Sequence, residues 1–229
     1  RAIHFNSPVR EGKFLPVNCG AIPTTLWESE MLGYTRGAFT DAGKDKEGYL
    51  QAAEGGTLFL DEITEMPAEA QVKLLRVIEN QEFTPLGSVK ACRMSARIIA
   101  ASNQDIRRKV GAGGFREDLY YRLNVVHIHV PPLRERREDI PILVRHLDRR
   151  YNRELGKKIQ GVDNATMKSL LCHDWKGNVR ELKNALERAM IFCDRERVGV
   201  EDLPAELHES NRNPEMAGRE ALKQSLKEF

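Results

Sequence analysis

The stretch Gly55-Gly56-Thr57-Leu58-Phe59-Leu60-Asp61-Glu62 decides the fold of this chain. Its apolar run follows two glycines and ends directly in two carboxylates. A short apolar run between turn residues is typical of a strand buried on both faces of a parallel sheet. Open α/β sheets bind ligands beyond the carboxyl ends of such strands. The pattern therefore predicts that Asp61 and Glu62 lie at a ligand-binding edge, where two adjacent acids are costly unless a metal or another partner offsets their charge.

Two roles for these acids are open on the residues alone. In a site that handles phosphate, Asp61 would hold Mg²⁺ and Glu62 would orient and polarise an attacking water. In the alternative, one of them caps the next helix by accepting backbone N–H groups. The isolated pattern does not separate these roles, and the remaining motifs of the chain favour the first.

The composition is that of an ordinary globular protein, with 229 residues, 41% of them hydrophobic and 31% charged. The net charge of +2 gives no global footprint for nucleic acid or an anionic membrane. No apolar run reaches the length of a membrane span. The cysteines form no C-x-x-C pair, and we expect reduced, mostly buried thiols in a cytoplasmic protein: Cys19, Cys92, Cys172 and Cys193. With no H-E-x-x-H motif, we expect no zinc site.

Three further segments are predicted to be strands. Phe14–Asn18 ends in Asn18, and residues 97–103 end in Asn103. An amide at the carboxyl edge of a strand either positions a water and senses a phosphate, or simply forms a turn. Residues 125–130 form a third β-type run, and Pro131-Pro132 marks the best internal boundary of the chain.

Helical periodicity dominates elsewhere. It predicts a helix after Pro67 with Ala70, Leu74, Val77 and Ile78 on its apolar face. It also predicts a helix over 115–123 and, after the double proline, a wholly helical region with segments at 138–156, at 163–173 and from residue 178 onward.

Side chains near the predicted helix starts indicate caps. Thr24 or Thr25 is expected to cap a helix that runs to residue 32, and Asn178 is expected to cap the last helix, with Glu181 three residues later. Arg180 lies near the positive end of that helix, where the dipole does not favour a cation. We therefore expect an anionic group near Arg180, and a ligand phosphate is one candidate.

Two segments are predicted to be irregular. Residues 33–43 carry three glycines and no periodicity, which indicates a loop. Phe39 in this loop is either a contact point for a partner or a side chain that folds back into the core. Residues 83–93 contain Pro85 and Gly87 between short β-type runs, which predicts a hairpin-like insertion.

These motifs together resemble the central AAA+ domain of bacterial enhancer-binding proteins, the activators of sigma-54 RNA polymerase, over residues 1–208. Five motifs of that family have counterparts here: the Walker B strand at 55–62, the signature GAFTGA at 37–42 (here GAFTDA), the sensor I strand end at 100–103, the arginine-finger segment at 115–123 and the sensor II helix at 175–184.

The resemblance implies an α/β fold, an AAA+ P-loop NTPase-type parallel sheet flanked by helices and followed by a small all-α lid. The implied boundaries are 1–131 for the α/β subdomain, 132–208 for the lid, and 209–229 for a linker and the start of a helix. It also implies a cytoplasmic homo-oligomeric ring, expected to be a hexamer with a heptamer left open. The implied partners are the sigma-54 RNA polymerase holoenzyme and DNA, the latter through a missing C-terminal helix-turn-helix.

The resemblance also implies ATP and Mg²⁺ as cofactors and a role for each site residue. Asp61 would coordinate Mg²⁺ and Glu62 would activate water. Asn18 would pair with Glu62 and couple hydrolysis to loop movement, while Asn103 would sense the γ-phosphate. Arg116 and Arg122 would act in trans, reaching the nucleotide bound by the neighbouring subunit. Arg180 would contact the nucleotide from the lid.

The signature loop is implied to contact the sigma factor when ATP orders it. Its residues are Gly37, Ala38, Phe39, Thr40, Asp41 and Ala42. Phe39 and Thr40 would make the contact. Asp41 replaces the second glycine of the family signature, which adds a charge and narrows the backbone freedom. Because Phe39 and Thr40 are retained, we expect the replacement to be tolerated.

One motif of the family is missing. No G-x-x-x-x-G-K-[ST] phosphate-binding loop occurs in the 229 residues. We therefore expect a fragment cut at both ends, with weak or no ATP hydrolysis on its own. Two other functions stay open: a regulatory module that binds a nucleotide or effector without hydrolysis, and another AAA+ ring ATPase, such as a relative of chelatases or clamp loaders.

Overall fold

The structure is a computed structural model that describes residues 1–208. The chain divides into two compact units, Arg1–His127 and a second that begins at Ile128. No helix within the described residues is both long and apolar enough to cross a membrane. The linker and helix start predicted over 209–229 lie outside the described residues.

A parallel three-stranded sheet forms the centre of the first unit. The strands of this unit are β1 (Phe14–Asn18), β2 (Gly33–Tyr34), β3 (Lys46–Glu47), β4 (Thr57–Asp61), β5 (Glu82–Phe83), β6 (Cys92–Arg93) and β7 (Arg97–Ala100). The sheet has the order β1-β4-β7, with both pairs parallel. Strand β4 is central, and its Leu58 and Leu60 are fully buried. The α/β sheet predicted from the apolar run before Asp61 is therefore confirmed.

Helices flank this sheet. They are α1 (Ala2–Phe5), α2 (Trp27–Leu32), α3 (Tyr49–Ala52), α4 (Ala68–Asn80), α5 (Ile106–Gly111) and α6 (Glu117–Leu123). The predicted apolar face of α4 is buried, because Leu74 and Ile78 belong to one hydrophobic core with Leu58 and Leu60. The core also takes in Phe115 and Leu119, so α6 packs onto the same centre. Helix α5 was not predicted, and Asp105 starts it by accepting hydrogen bonds from the N–H groups of residues 107 and 108.

The hairpin-like insertion predicted between residues 83 and 93 is confirmed. Strands β5 and β6 pair antiparallel, with Phe83 opposite Cys92. The short strands β2 and β3 also pair antiparallel and form the base of the loop that contains Phe39.

The second unit is helical, as predicted. Its helices are α7 (Ile140–Leu155), α8 (Asn164–Cys172), α9 (Asn178–Phe192) and α10 (Ala205–His208). They surround a separate core in which Trp175, Leu182 and Ala189 are fully buried. The indole N–H of Trp175 donates to the carbonyl of Leu170 at 2.7 Å, which satisfies its polar atom inside the core.

The prediction of a strand over residues 125–130 is wrong. The segment has no regular secondary structure and forms no ladder with the described residues. Its apolar side chains are 62% to 82% exposed: Val125, Val126, Ile128 and Val130. A β-type run becomes a strand only where a neighbour pairs with its backbone groups, and the apolar pattern alone does not reveal whether that neighbour is present.

Two predicted caps are also wrong. Neither Thr24 nor Thr25 caps α2 with its side chain, because a turn of 3₁₀-helix at Thr24–Leu26 precedes that helix. Asn178 is not the cap of α9, since Gly177 takes that place and Asn178 has a positive φ of 55°. The Asn178 side chain instead accepts a hydrogen bond from the N–H of Leu133 at 2.7 Å.

Candidate functional site

Four of the predicted site residues come from the carboxyl edge of the parallel sheet. Asn18 and Asp61 are direct partners in the register of β1 and β4. On the other side of β4, Ala101 donates to the carbonyl of Leu60 and accepts from the N–H of Ile63. The chain that follows β7 therefore stays attached to the turn after Glu62, which brings Asn103 to the same edge.

Glu62 holds a strained backbone conformation at this edge. Its φ of 52° and ψ of 44° lie in the left-handed region, which few residues with a side chain adopt. The Asp61 carboxylate accepts a hydrogen bond from the Glu62 N–H at 3.1 Å, and Glu62 Oε1 accepts from Asn103 Nδ2 at 3.5 Å. Strain of this kind persists only where the surrounding structure over-determines it, and it is found at functional sites.

Asn18 fixes the turn that faces Glu62. Its Oδ1 accepts hydrogen bonds from the N–H groups of Gly20 at 2.8 Å and Ala21 at 3.2 Å. A Cβ atom on Gly20 would lie 3.2 Å from Glu62 Oε2, so the acid lies directly against this turn. The hydrogen bond of Glu62 goes to Asn103 in this structure, and the pairing of Asn18 with Glu62 stays a prediction.

The edge carries concentrated negative charge. Burial, together with the neighbouring carboxylates of Asp61 and Glu62, raises the pKa of the Cys19 thiol to about 12. Among residues 1–208, no group of three or more His, Cys, Asp or Glu side chains is placed to hold a metal. The Asp61 carboxylate is nevertheless a suitable ligand for Mg²⁺, because this ion is usually held by only one or two carboxylates together with substrate phosphates and water. The second carboxylate oxygen of Asp61 forms no hydrogen bond with the described residues and is free for this role.

The two predicted finger arginines differ in their surroundings. Arg116 directly precedes α6 and forms a two-point ion pair with Asp118, from Nε to Oδ1 at 3.0 Å and from Nη2 to Oδ2 at 2.6 Å. The hydrogen bond from Arg116 lowers the pKa of the Asp118 carboxyl. Arg122 lies in the last turn of α6 and forms no ion pair within the described part of the chain. A surface groove of about 500 Å³ is lined by Arg116, Glu117, Asp118 and Tyr121.

The GAFTDA segment is a closed turn with an exposed aromatic ring. The N–H of Gly37 donates to Ala42 at 2.8 Å, and that of Ala42 donates to the carbonyl of Phe39 at 3.0 Å. Phe39 is 43% exposed and contacts the ring of Tyr34 edge-on at 4.8 Å. It therefore does not fold back into the core, while Asp41 faces solvent.

The base of this loop is held by the neighbouring hairpin. Thr35 donates its N–H to the carbonyl of Leu86 at 2.9 Å, and Leu86 donates to Gly33 at 3.0 Å. Gly87 has a φ of 74°, and a Cβ atom there would lie 2.7 Å from the Cβ of Ala38. The hairpin therefore packs against the loop at a position that only glycine fits.

Arg180 lies on the exposed surface of the second unit. It lines a groove of about 530 Å³ whose other residues lie on α9, on α10 and in the segments directly before these two helices: Trp175, Gly177, Glu181, Asn184, Ala185, Arg188, Pro204, Glu206 and Leu207. Glu181 fixes the local chain, because it accepts from the Gly177 N–H at 2.8 Å and pairs with His173 at 3.0 Å. A contact of Arg180 with nucleotide stays a prediction.

Two polar residues near the site were not predicted from the motifs. Asp118 holds Arg116, and Gln71 is a fully buried amide on α4 that binds the main chain next to Arg116. A signal for Gln71 was present, because it shares the helical phase of Leu74, Leu75 and Ile78 and interrupts their apolar stripe. A polar residue inside such a stripe requires hydrogen-bond partners in the core.

The chain is similar to known proteins over most of its length. Residues 1–129 match the family model "Sigma-54 interaction domain", and residues 134–220 match "AAA+ ATPase lid domain". The regulatory protein AtoC of Escherichia coli (strain K12) is 44% identical over 209 residues, which cover 91% of this chain and 45% of AtoC. An uncharacterized protein in the HyuA 5' region of Pseudomonas sp. (strain NS671) is 46% identical over 204 residues, 89% of this chain and 69% of that protein.

Solved structures show the same fold. A crystal structure of NtrX from Brucella abortus in complex with ATP has a TM-score of 0.82 and 38% identity, covering 91% of this chain and 46% of NtrX. This chain spans less than half the length of AtoC and of NtrX. The family models cover both units. The chain therefore belongs to the family of the sigma-54 interaction domain, and it carries an AAA+ ATPase lid domain.

Proposed function

We propose that this chain works as the ATPase domain of a sigma-54-dependent transcriptional activator. In this proposal, cytoplasmic subunits form a ring, and ATP hydrolysis in the ring remodels the promoter complex of sigma-54 RNA polymerase. The full-length protein would bind DNA through a segment outside these residues. Membership of the family supports the proposal, and so does similarity to a response regulator, PilR of Pseudomonas aeruginosa, at 46% identity.

The observation that carries the proposal is the convergence of Asp61, Glu62 and Asn103 at one sheet edge, with Glu62 in a strained conformation. Phosphoryl transfer requires positioning and charge neutralisation more than covalent chemistry. Glu62 would orient the attacking water, and Asn103 would hold Glu62 in place and detect the γ-phosphate. Asp61 would hold Mg²⁺, which neutralises charge on the phosphate oxygens when it is bound.

We propose a ring because the arginines would act on the nucleotide of a neighbouring subunit. A trans-acting arginine raises the rate of nucleotide hydrolysis by about 10³ to 10⁵. Arg122 is free of ion pairs among the described residues, so we assign it the contact with the neighbouring subunit's nucleotide. Arg116 would reach the nucleotide only after exchanging the Asp118 carboxylate for a phosphate. Arg180 is proposed as a further nucleotide contact from the lid.

The GAFTDA loop would make the contact with the protein partner. Phe39 is presented at the tip of a closed turn, and Thr40 is its neighbour. An exposed aromatic residue on a supported loop is a suitable anchor for a protein partner. We propose that this loop contacts the sigma factor and that nucleotide state controls the contact.

The experiment that tests this function is Phe39→Ala in the full-length protein. Truncation of a central interface aromatic typically costs 2 kcal/mol or more, so we expect open-complex formation at a sigma-54 promoter to fall roughly 30-fold or more. The rate of ATP hydrolysis should change little. The matched control is Leu26→Ala, a large side chain of similar exposure at 48%, which should leave both readouts near the wild type.

The outcomes separate the open alternatives. Loss of ATP hydrolysis together with activation would mean that Phe39 supports the core. Absence of hydrolysis in the wild type would favour the regulatory module without catalysis. ATP hydrolysis by the wild type without any effect at a sigma-54 promoter would favour another ring ATPase.

A further inference from the structure

Gln71 is a buried polar side chain in the apolar stripe of α4. It exposes 1% of its surface and lies in phase with Leu74, Leu75 and Ile78. A buried amide is costly unless its donors and acceptor are paired. The partners of Gln71 therefore indicate what it does.

Each polar atom of the Gln71 amide binds the main chain of another segment. Nε2 donates to the carbonyl of Met66 at 2.9 Å and to that of Gly114 at 3.3 Å, while Oε1 accepts from the N–H of Arg116 at 2.8 Å. Gly114 and Arg116 flank Phe115, so the amide pairs with both sides of one residue, as a neighbouring strand would. Phe115 itself is 3% exposed and packs in the core.

These bonds join two parts of the candidate site. Arg116 directly precedes α6, and the same helix carries Arg122 in its last turn. Met66 follows the 3₁₀ turn at Ile63–Glu65, which begins directly after Glu62. One side chain therefore links the turn behind the proposed water-orienting acid to the start of the arginine helix.

We propose that Gln71 is a positioning residue for the arginine pair. It holds the start of α6 in a fixed place relative to the turn behind Glu62, so that Arg116 and Arg122 are presented to the nucleotide of the neighbouring subunit. This inference rests on the proposed function, because it requires arginines that act in trans. Gln71 itself touches no nucleotide.

The test uses Gln71→Met in the full-length protein. Methionine has a similar length and suits a core, but it leaves the main-chain groups of Met66, Gly114 and Arg116 unpaired. A displacement of about 1 Å at a reacting group can cost about 10²-fold in rate, so we expect kcat for ATP to fall by roughly that factor. KM and ring assembly should change little. The matched control is Leu74→Met, equally buried on the same helix, which should keep roughly the wild-type rate.

Mixed rings show on which side of the subunit boundary Gln71 acts. Subunits with Gln71→Met keep Glu62 but present their arginines poorly, whereas subunits with Glu62→Gln present them normally. An equimolar mixture should therefore recover about one quarter of the wild-type rate, the fraction of sites that receive both intact parts by random assortment. A mixture of Gln71→Met with Arg122→Ala should not recover, because both variants damage the same side.

The reverse pattern, or recovery in neither mixture, would overturn the inference. If Gln71→Met does not fold, Gln71→Glu replaces it in the same mixtures. In its neutral form this variant keeps the acceptor for Arg116 and one donor, so its rate should decrease as the pH rises and the buried carboxyl ionises. The reference pair is Glu62→Gln with Arg122→Ala. Failure of that pair to recover would contradict the proposed function itself, independently of Gln71.

Discussion

At the scale of one residue, the pKa of Cys19 reflects the negative charge at the carboxyl edge of the sheet. Its thiol is 1% exposed, and burial together with Asp61 and Glu62 raises its pKa to about 12. At pH 8 only about one thiol in 10⁴ would be ionised, and the thiolate is the reactive form. We expect a thiol reagent to label the exposed Cys172 quickly and to label Cys19 only after unfolding. Mass spectrometry of labelled peptides measures this.

Cys172→Ser is the control for this labelling, and it should remove the fast phase. Fast labelling of Cys19 in the folded protein would contradict the burial of its thiol.

The Cys19 thiol also has a defined effect on the pH dependence of stability. Because its folded pKa lies above the ordinary value of 9.0, its contribution is complete below pH 9 and is lost as the pH rises from 9 towards 12.

Individual residues were predictable where the chemistry is local to the motif. An apolar strand followed by two acids places Asp61 and Glu62 at a sheet edge, and the end of the next strand brings Asn103 to the same edge. Asn178 was misassigned because a helix start in sequence does not show which acceptor the tertiary structure requires. Its side chain accepts a hydrogen bond from the N–H of Leu133, 45 residues earlier, and Gly177 takes the N-cap position instead.

At the scale of elements, the cap of α8 offers a test of local stability. The Asp163 carboxylate accepts a hydrogen bond from the N–H of Thr166 at 2.7 Å, and this bond lowers the pKa of Asp163. Asp163→Ala should destabilise the lid unit by about 1 kcal/mol at pH 7, the usual cost of a lost cap. Asp163→Asn keeps the acceptor and should cost only a few tenths of that. Chemical denaturation measures both.

The pH dependence of the same variant has a definite sign. A carboxyl whose folded pKa is lowered stabilises the fold above its ordinary value of 3.8, and this contribution is lost as the pH falls through the folded pKa. The gap in stability between wild type and Asp163→Ala should therefore shrink below about pH 4. A gap that stays constant from pH 7 to pH 3 would show that the charge of the cap plays no part.

Elements were predictable where periodicity and pairing coincide. The apolar face of α4 was read correctly because Leu74 and Ile78 recur at the spacing of one helical face. Residues 125–130 were misread because an apolar β-type run is necessary but not sufficient for a strand. Backbone pairing is a property of two segments, and one segment alone cannot supply it.

At the scale of the whole molecule, the division of labour between the arginines and the acids predicts that activity depends on assembly. If Arg122 completes the site of a neighbouring subunit, a lone subunit lacks a cation that accelerates hydrolysis by about 10³-fold or more. The specific ATPase activity of the full-length protein should therefore rise steeply with protein concentration. The rise should coincide with ring formation, followed by light scattering.

Arg122→Ala separates assembly from catalysis in that experiment. It should form rings over the same concentration range without the rise in specific activity, because Arg122 makes no ion pair within residues 1–208 whose loss would disturb the fold. Arg134→Ala, an arginine of the second unit that pairs with its neighbour Glu135, is the control and should behave as the wild type. The specific activity could instead be independent of protein concentration while light scattering gives the mass of a single subunit. That result would place the whole reaction within one chain and rule out a trans arginine.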